Sequence, residues 1–322
     1  MLNVAVVGTG VMGTNHLRVL HQFEGVCVAA IVEPDSVRRS EVAQDYEVNM
    51  FGSIEDLLAD KTLSDSLTAA VIATPTSSHI HIAKEIVDAG IATLIEKPIA
   101  ASIEEALEID NFAKERNVPV MVGHVERFNP AVIELFDPIY SDPIHVEVRR
   151  IGPFASRITD SVIHDLMVHD LDIVRKFLDS EITSVQATGK TVLSSSCDIA
   201  TALLTFESGA TASLTASRLG QKKLREIDIT LEGSFVCADL LHRNVVVHRA
   251  EQGSITSQGS GYKQAVEEEV RYLQNRVEPL VAEWEAFFSA IENGETPPVT
   301  VQDGIEAVRM ADQIAEVVAS FK

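Results

Sequence analysis

Residues 160–174 read DSVIHDLMVHDLDIV, an apolar run that also carries two histidines and four aspartates. At about 100° per residue, the turn of an α-helix, one stripe of this segment is polar and the opposite arc is apolar. The stripe consists of Asp165, His169, Asp172 and Lys176, and the arc of Ile163, Leu166, Met167, Val174 and Phe177. The pattern predicts an amphipathic helix. Its stripe is either a solvated face or part of a site in which Asp165 orients His169 for proton transfer.

A second pattern suited to chemistry lies near the N-terminus, in VAVVGTGVMGTNHL. Gly8, Gly10 and Gly13 follow a predicted strand and begin a predicted helix, and Glu33 comes 20 residues after Gly13. The first glycine permits a tight turn, the second lets the backbone approach a pyrophosphate, and the third lets helix and strand pack closely. The helix N-terminus supplies N–H donors. The arrangement predicts a dinucleotide-binding site.

The choice between NAD and NADP depends on the residues after the second predicted strand. Glu33 would accept hydrogen bonds from ribose hydroxyls and repel a 2′-phosphate, which favours NAD. Arg38 and Arg39 lie one turn farther on, where an arginine can accommodate that phosphate. The sequence therefore predicts NAD as the cofactor without excluding NADP.

The segment LIEKPIA places Glu96, Lys97 and Pro98 at the end of a predicted strand, the edge where ligands bind in open α/β sheets. A lysine at this edge can donate to a reacting hydroxyl or carbonyl oxygen. The alternative is an ordinary surface lysine at a strand end, and position alone does not decide between the two. Pro98 can carry a cis peptide bond.

Composition restricts the class of protein. The chain has 322 residues, 46% of them hydrophobic, and a formal net charge of −22, which together predict a two-domain globular protein. A nucleic-acid partner or a membrane surface is not expected, since either would require clustered cations. Cys27, Cys197 and Cys237 suit neither a disulfide framework nor a zinc site, and no metal site is predicted. With no leader signal visible, we expect a cytoplasmic protein.

The order of predicted elements changes near residue 144. Before it, short apolar runs alternate with amphipathic helical segments, which is typical of a parallel sheet covered by helices. After it, long strand candidates follow one another, separated by turns at Ser208–Gly209 and Gly233–Ser234, as in an antiparallel sheet. A polar tract at 250–264 is predicted to be a loop. Two helices close the chain, the second starting with a capping box at Thr300–Asp303.

Several dispersed motifs together resemble the Gfo/Idh/MocA family of oxidoreductases. They are GTGVMG at 8–13, ATPTSSHIHIA at 73–83, EKP at 96–98, ERFNP at 126–130 and the D-x-x-x-H of Asp165 and His169. The resemblance covers essentially the whole chain and implies an α/β protein. Residues 1–122 would form a Rossmann dinucleotide-binding domain with a parallel sheet. Residues 123–322 would form an α+β domain for substrate binding and oligomerisation, built on a large, mostly antiparallel open sheet.

The resemblance also implies a reaction and its site residues. The reaction is the NAD(P)-dependent oxidation or reduction of a sugar or cyclitol hydroxyl, with Lys97, Asp165 and His169 together beside the nicotinamide. His169 would act as the base and Lys97 as its cationic partner, because the hydroxyl proton must leave as the hydride departs. Further cofactor contacts are implied for Val11, Met12, Thr74, Pro75, His79, Glu96 and Lys97.

The segments GHVERFNPA and DLMVHDLDIV resemble most the branch of the family that oxidises the 3-hydroxyl of UDP-N-acetylglucosamine. A diphosphate in such a substrate would need cations. The residues expected to bind the substrate are Arg127, Asn129, Arg149, Arg150, Arg157 and Asp165. Two alternatives stay open, a myo-inositol or simple aldose dehydrogenase and a non-catalytic NAD-binding regulator.

Alternation in the later strand candidates gives each predicted strand two distinct faces. In TASLTAS the small hydroxyl residues share one face, and they are Thr211, Ser213, Thr215 and Ser217. An open sheet has only one face covered by its own helices, and the resemblance implies a second subunit on the other. We expect a homodimer or homotetramer, against the alternative of a solvated face in a monomer.

Overall fold

Helices and strands alternate in the first part of the chain, and strands predominate in the second. The structure is a computed structural model that describes residues 1–155, 160–250, 266–273 and 277–320. The strands are β1 (Leu2–Val7), β2 (Val26–Val32), β3 (Asn49–Phe51), β4 (Ala69–Ile72), β5 (Ala92–Glu96), β6 (Val120–Gly123), β7 (His145–Ile151), β8 (Ile182–Lys190), β9 (Ile199–Phe206), β10 (Thr211–Ser217), β11 (Leu224–Leu231), β12 (Ser234–Asp239), β13 (Asn244–Ala250) and β14 (Val266–Val270). The helices are α1 (Val11–Leu20), α2 (Ser36–Asp45), α3 (Ile54–Ala59), α4 (Lys61–Ser64), α5 (His79–Asp88), α6 (Ile103–Arg116), α7 (Pro130–Leu135), α8 (Val168–Leu178), α9 (Pro279–Asn293) and α10 (Val301–Ser320). Short 3₁₀ segments span Thr76–Ser78, Val125–Phe128 and Pro138–Tyr140, and a π-helical turn spans Ile163–Met167.

The chain divides into two units. The first contains Met1–Val125 and Glu278–Val308, and the second contains Glu126–Val277 and Arg309–Lys322. The predicted domain limits at residues 122 and 123, and the role given to each domain, stay predictions. No helix in the described part of the chain has both the length and the apolar character needed to cross a lipid bilayer.

The first unit contains a six-stranded parallel sheet in the order β3-β2-β1-β4-β5-β6. Strands β4, β5 and β6 are buried at every residue, which is why they read as continuous apolar runs rather than as alternating patterns. The chain changes direction across the sheet between β1 and β4, the position at which doubly wound sheets bind dinucleotides. The predicted Rossmann fold is confirmed.

Short-range signals set the starts of two helices in this unit. The Asp35 side chain accepts hydrogen bonds from the backbone N–H groups of Val37 and Arg38 and so begins α2. Thr300 N donates to Asp303 Oδ2 at 2.9 Å, and Asp303 N donates to Thr300 Oγ1 at 3.1 Å. The predicted capping box at the start of α10 is therefore confirmed.

The second unit contains an eight-stranded sheet in the order β14-β13-β12-β11-β7-β10-β9-β8. It is mostly antiparallel, as predicted, and β7 and β10 form its parallel pair. The sequence did not predict that β7, which carries Arg149 and Arg150, lies in the middle of this sheet. Residues 251–264 of the polar tract predicted to be a loop lie outside the described residues.

The two faces of this sheet differ, as the alternation predicts. Along β9 and β10, residues of one face are buried and residues of the other are partly or fully exposed. The buried face packs against α8 residues such as Leu171 and Val174 in the core of the unit. On the open face Leu203 is 41% exposed. Ser217, which the alternation assigns to the open face, is buried instead.

Candidate active site

The glycine-rich turn connects β1 to α1. Gly8 has a φ of 91°, a left-handed conformation that favours glycine. A Cβ atom on Gly13 would lie 1.9 Å from Gly8 O, whereas one on Gly10 would meet nothing within 4 Å. Only glycine at position 13 lets the start of α1 lie this close to the backbone of Gly8. The space beside Gly10 is open, as binding of a pyrophosphate requires. Val11 is exposed at the start of α1, and Met12 is half-buried.

The Glu33 carboxylate directly follows β2 and is held by the glycine turn. Its Oε2 accepts hydrogen bonds from Thr9 N at 2.9 Å and Thr9 Oγ1 at 2.7 Å, and its Oε1 accepts one from Asp35 N at 3.0 Å. Each carboxylate oxygen has more than one lone-pair position. The buried carboxylate can therefore still accept a ribose hydroxyl, and it places negative charge where a 2′-phosphate would lie.

Arg38 and Arg39 donate to backbone oxygens beside this carboxylate. Arg38 donates to Thr9 O at 3.2 and 3.0 Å and to Thr14 Oγ1 at 3.1 Å. Arg39 donates to Glu33 O. Both guanidinium groups are already bound to protein oxygens beside the Glu33 carboxylate, an arrangement that favours NAD over NADP.

His79 joins the loops that follow β4 and β5. Its Nε2 lies 2.9 Å from Thr74 O, and its Nδ1 lies 3.1 Å from Pro98 O. His79 is 1% exposed and connects the two loops, and its predicted contact with the cofactor stays a prediction. Thr74 is half-buried and Pro75 is exposed. The Lys97–Pro98 peptide bond is cis.

Glu96 and Lys97 lie where β5 ends. Glu96 is buried, with its Oε1 2.9 Å from His16 Nε2, and its Oε2 accepts a hydrogen bond from Lys97 N at 3.2 Å. A Cβ atom on Gly123 would lie 3.2 Å from Glu96 Cδ, so glycine at this position of β6 leaves room for the carboxylate. Lys97 itself is half-buried. His16 lies 80 residues from Glu96 along the chain, so the sequence did not predict this contact.

Asp165 and His169 lie where the π-helical turn joins α8. Val168 N donates to Ile163 O, a bond that spans five residues rather than the four of an α-helix. The predicted amphipathic helix is therefore regular only after Met167, and the uniform angular spacing assumed for its stripe fails before that residue. Asp165 and His169 are both half-buried. π-helical turns are rare and occur frequently at functional sites. The start of this helix therefore favours a functional site over an ordinary solvated face.

Two buried ion pairs hold α8 directly after His169. Arg127 donates to both carboxylate oxygens of Asp172 at 2.6 and 2.7 Å. Arg150 donates to the carboxylate of Asp170 at 2.7 to 3.0 Å. The four side chains are 2% to 5% exposed. Asp172, which the helical spacing places on the same stripe as Asp165 and His169, is therefore half of a buried pair within the second unit.

Glu126 links the Arg150 pair to a third arginine. Its Oε1 accepts hydrogen bonds from Arg150 NH1 at 3.0 Å and Arg225 NH1 at 2.8 Å. Burial alone would raise the pKa of Glu126, but the guanidinium groups of Arg150 and Arg225 outweigh burial and lower the pKa below its usual value. Glu126 therefore stays charged inside the unit and keeps both arginines in place.

The other residues predicted to bind substrate have partners within the second unit or lie outside the described residues. Asn129 donates to Leu240 O at 3.0 Å. Arg149 NH2 lies 3.2 Å from Asp228 Oδ2 on the open face of the sheet. Arg157 lies outside the described residues. Substrate binding by these side chains, and by Arg127, stays a prediction.

The predicted catalytic residues come from both units. Lys97 belongs to the first unit, and Asp165 and His169 belong to the second. Their grouping around a nicotinamide stays a prediction that rests on the family resemblance. Across the described ranges, His, Cys, Asp and Glu side chains form no group of three that could hold a metal ion.

The glycine turn and the strand order of the first unit define a dinucleotide-binding protein of the Rossmann class. Comparison with known families agrees. The family described as "Oxidoreductase family, NAD-binding Rossmann fold" matches residues 2–124, and the "GFO/IDH/MocA C-terminal domain" matches residues 145–234. The chain belongs to the Gfo/Idh/MocA family of oxidoreductases, as the motifs predicted, and its cofactor is NAD.

Similar proteins in this family are named dehydrogenases. UDP-N-acetylglucosamine 3-dehydrogenase from Acidithiobacillus ferrooxidans is 32% identical over 287 residues, which cover 88% of each chain. A solved structure of that enzyme matches with a TM-score of 0.88 and 29% identity, over 99% of this chain and 98% of the other. The scyllo-inositol 2-dehydrogenase (NAD(+)) of Bacillus subtilis is 27% identical, over 92% of this chain and 88% of its own. The chain is therefore an enzyme rather than the non-catalytic regulator that the sequence left open.

We expect the unmodified protein to bind NAD more tightly than NADP, and Glu33→Ala to narrow the difference, because the substitution removes the charge that repels a 2′-phosphate. Fluorescence titration with NADH and NADPH measures both dissociation constants. Glu47→Ala, which alters an exposed acid of the same unit, serves as the control and should change neither. Equal affinity of the unmodified protein for the two cofactors would show that Arg38 or Arg39 dominates.

Arg150→Met should lower the free energy of unfolding by about 3–5 kcal/mol, because it leaves the buried carboxylate of Asp170 without its cation and leaves Glu126 with Arg225 alone. Arg149→Met is the matched control on the next residue of β7. It breaks only pairs in which the arginine side chain is 40% exposed, and it should cost less than about 1 kcal/mol. Urea denaturation measures both values. Similar losses for the two variants would contradict the structural role given to Arg150.

Proposed function

We propose that the enzyme oxidises the 3-hydroxyl of a UDP-N-acetylhexosamine, with NAD as the hydride acceptor. The observation that carries this proposal is the similarity to UDP-N-acetylglucosamine 3-dehydrogenase, at 32% identity over 88% of both chains. The fold supports it, with a TM-score of 0.88 over 99% of this chain. Nearly complete coverage means that the similarity includes the second unit, in which the substrate contacts are predicted.

NAD, when bound, accepts the hydride from the carbon that carries the hydroxyl. The protein must then remove the hydroxyl proton and stabilise the charge that develops on the oxygen. We assign the first task to His169, because histidine is the side chain that most often serves as a general base. We assign the second to Lys97, whose ammonium group is a compact cation. Asp165 would orient the imidazole or bind a substrate hydroxyl.

The surroundings of these residues support the assignment. His169 lies beside a π-helical turn at the start of a helix that buried ion pairs hold in place. Lys97 follows a strand whose last residue, Glu96, is fixed by His16. A group that transfers protons works only within hydrogen-bond reach of its partner, so backbone segments held in this way suit such a role.

A substrate diphosphate would need positively charged partners, and the arginines of the second unit differ in how far their guanidinium groups are already bound to carboxylates. Arg127 and Arg150 donate to buried carboxylates, so the structure does not favour the predicted contact of Arg127 with substrate. Arg149 is half-exposed on the open face of the sheet, which is not the face that packs against α8, so it gives no direct support for a diphosphate site beside His169. Arg225, which no motif in the sequence marks, is also half-exposed. Its guanidinium is tied to Glu126 on one side.

A second candidate is the oxidation of an inositol. The scyllo-inositol 2-dehydrogenase of Bacillus subtilis, at 27% identity over 92% of this chain, favours it. Such a substrate has no diphosphate and needs no arginine. Turnover of UDP-N-acetylglucosamine compared with scyllo-inositol and myo-inositol, followed as NADH absorbance, distinguishes the two candidates.

We infer a cytoplasmic location from the three cysteines, none of which forms a disulfide within the described residues, since reducing compartments favour free thiols. The small-molecule substrate and the charge of −22 agree with a protein that uses neither nucleic acid nor a membrane as a partner.

We also propose a homodimer or homotetramer that forms through the open face of the eight-stranded sheet. Leu203→Arg should then reduce the mass measured by light scattering at micromolar concentration, because it places a charge on that face. Leu107→Arg is the control, since Leu107 of α6 is as exposed as Leu203, at 41%, and lies in the other unit. A monomeric unmodified protein would support a solvated face instead.

The proposed chemistry predicts that His169→Ala and Lys97→Ala each lose about 10²–10⁴ in turnover, with little change in affinity for NAD. Their losses should not add in the double variant, because residues that act as one unit are not independent. The turnover of Asp165→Asn should lie between that of these variants and that of the unmodified enzyme. Turnover and NADH dissociation constants are measured for each.

Lys176→Ala provides the control on α8, since Lys176 is exposed on the same helix and should leave turnover unchanged. If His169→Ala keeps turnover within a few-fold of the unmodified enzyme, His169 belongs to an ordinary charged helix face and not to the proton-transfer site.

A further inference from the structure

Helix α9 places two side chains inside the first unit for which the proposed function has no use. Glu283 and Trp284 are each 0% exposed, and α9 packs against α1. A buried tryptophan N–H and a buried carboxyl group both require partners. Trp284 has a hydrogen-bond partner and Glu283 does not, and Glu96 is involved in both cases.

Trp284 begins a chain of hydrogen bonds that ends at Lys97. Trp284 Nε1 donates to His16 Nδ1 at 2.9 Å, and His16 Nε2 lies 2.9 Å from Glu96 Oε1. An indole N–H can only donate, so His16 Nδ1 is the acceptor and the ring proton lies on Nε2, facing Glu96. Glu96 Oε2 in turn accepts the hydrogen bond from Lys97 N. Trp284 thus determines which tautomer of His16 meets Glu96.

Glu283 lacks any such donor. Among the described residues, neither of its carboxyl oxygens has a hydrogen-bond partner. An ionised carboxylate in this place would have nothing to replace the water that it loses. Burial first, and then the negative charge of Glu96, raise the pKa of Glu283 well above its usual value. Glu283 is therefore neutral beside a Glu96 that accepts two hydrogen bonds.

We propose that Glu283 keeps its proton in the folded protein, and that Glu283 and Trp284 position Lys97 through Glu96. A neutral Glu283 leaves Glu96 as the single anion of the two, free to accept from His16 and from Lys97 N together. Trp284 keeps the His16 donor aimed at Glu96. Both are positioning residues, and the inference rests on the proposed function in taking Lys97 as catalytic.

Infrared spectroscopy tests the proton on Glu283 without reference to turnover. We expect the folded full-length protein at neutral pH to show a carboxylic-acid C=O band that is lost in Glu283→Gln. The band should persist in Glu285→Gln, which changes an exposed residue of the same helix. Absence of the band from the unmodified protein, or its persistence in Glu283→Gln, would overturn the assignment.

Stability gives a second test of the proton, with a defined sign. Unfolded Glu283 loses its proton at the usual pKa of glutamate, whereas the folded protein retains it, so its contribution to stability falls as pH rises above that value. Glu283→Gln cannot lose stability in this way. Its melting temperature should exceed that of the unmodified protein by a margin that widens from about pH 5 to about pH 8. Both proteins contain the same other titratable groups around α9, so these groups do not account for a difference between them. They are His16, Arg18, Glu96 and Glu278. A constant margin would overturn the proposal.

Trp284→Phe tests the positioning role, because it removes the N–H donor and keeps an aromatic ring. Turnover of UDP-N-acetylglucosamine should fall about tenfold, as for the loss of one hydrogen bond, with the NADH dissociation constant within about twofold. Nitrogen-15 NMR should show His16 Nδ1 without a proton in the unmodified protein and a mixture of tautomers in the variant. Phe287→Leu, a fully buried α9 residue, controls for lost packing and should leave both readouts unchanged.

The double variant of Trp284→Phe with Lys97→Ala separates this inference from the proposed function. If Trp284 acts through Lys97, the substitution should cause no further loss in the Lys97→Ala background. A further tenfold loss there would overturn the positioning role. Full turnover by Lys97→Ala alone would overturn the proposed function of Lys97 and the positioning role with it, whereas the infrared band would still decide whether Glu283 holds the proton.

Discussion

A carboxylate that leaves water loses several kcal/mol of hydration free energy unless donors or cations replace that water. The chain meets this constraint at Glu33, whose oxygens accept from the glycine turn, and at Asp170 and Asp172, which bind arginines. In each case the partner belongs to a different element. Satisfying the carboxylate therefore also fixes where that element lies, so polar contacts position the functional segments that the apolar cores support.

Most of the fold could be predicted because its strands are apolar or alternating runs that end at turn residues. Two strands could not. Strand β3 has only the three residues NMF, and β14 reads VEEEV. Neither carries a local strand pattern, and each is a strand because it pairs with a neighbour, β2 or β13. Strand formation that depends on pairing rather than on local pattern cannot be read from one segment.

The residues of the candidate site likewise divide into those that the sequence could predict and those that it could not. The glycine turn and Glu33 could be found because their spacing is short and has a mechanical cause. The partner of Asp172, by contrast, is Arg127, 45 residues away, and the partner of His16 is Trp284, 268 residues away. A sequence shows the type of each residue but not its partner. An arginine beside a predicted site looks the same whether it binds a substrate phosphate or a buried carboxylate, so the sequence could not show that Arg127 pairs with Asp172.

The buried pairs on α8 explain more about orientation than about stability, since apolar residues of similar size often stabilise a core equally well. Asp170 and Asp172 are about 200° apart around the helix, and their arginines come from β7 and from the segment before α7. Restraints on nearly opposite sides fix the rotation of a helix, whereas apolar side chains tolerate small displacements. A proton-transfer group needs a fixed direction. Asp165 lies in the π-helical turn, where the angle between successive residues differs from that of α8. The buried ion pairs therefore orient the part of the predicted stripe that lies on α8, whereas the π-helical turn sets the direction of Asp165.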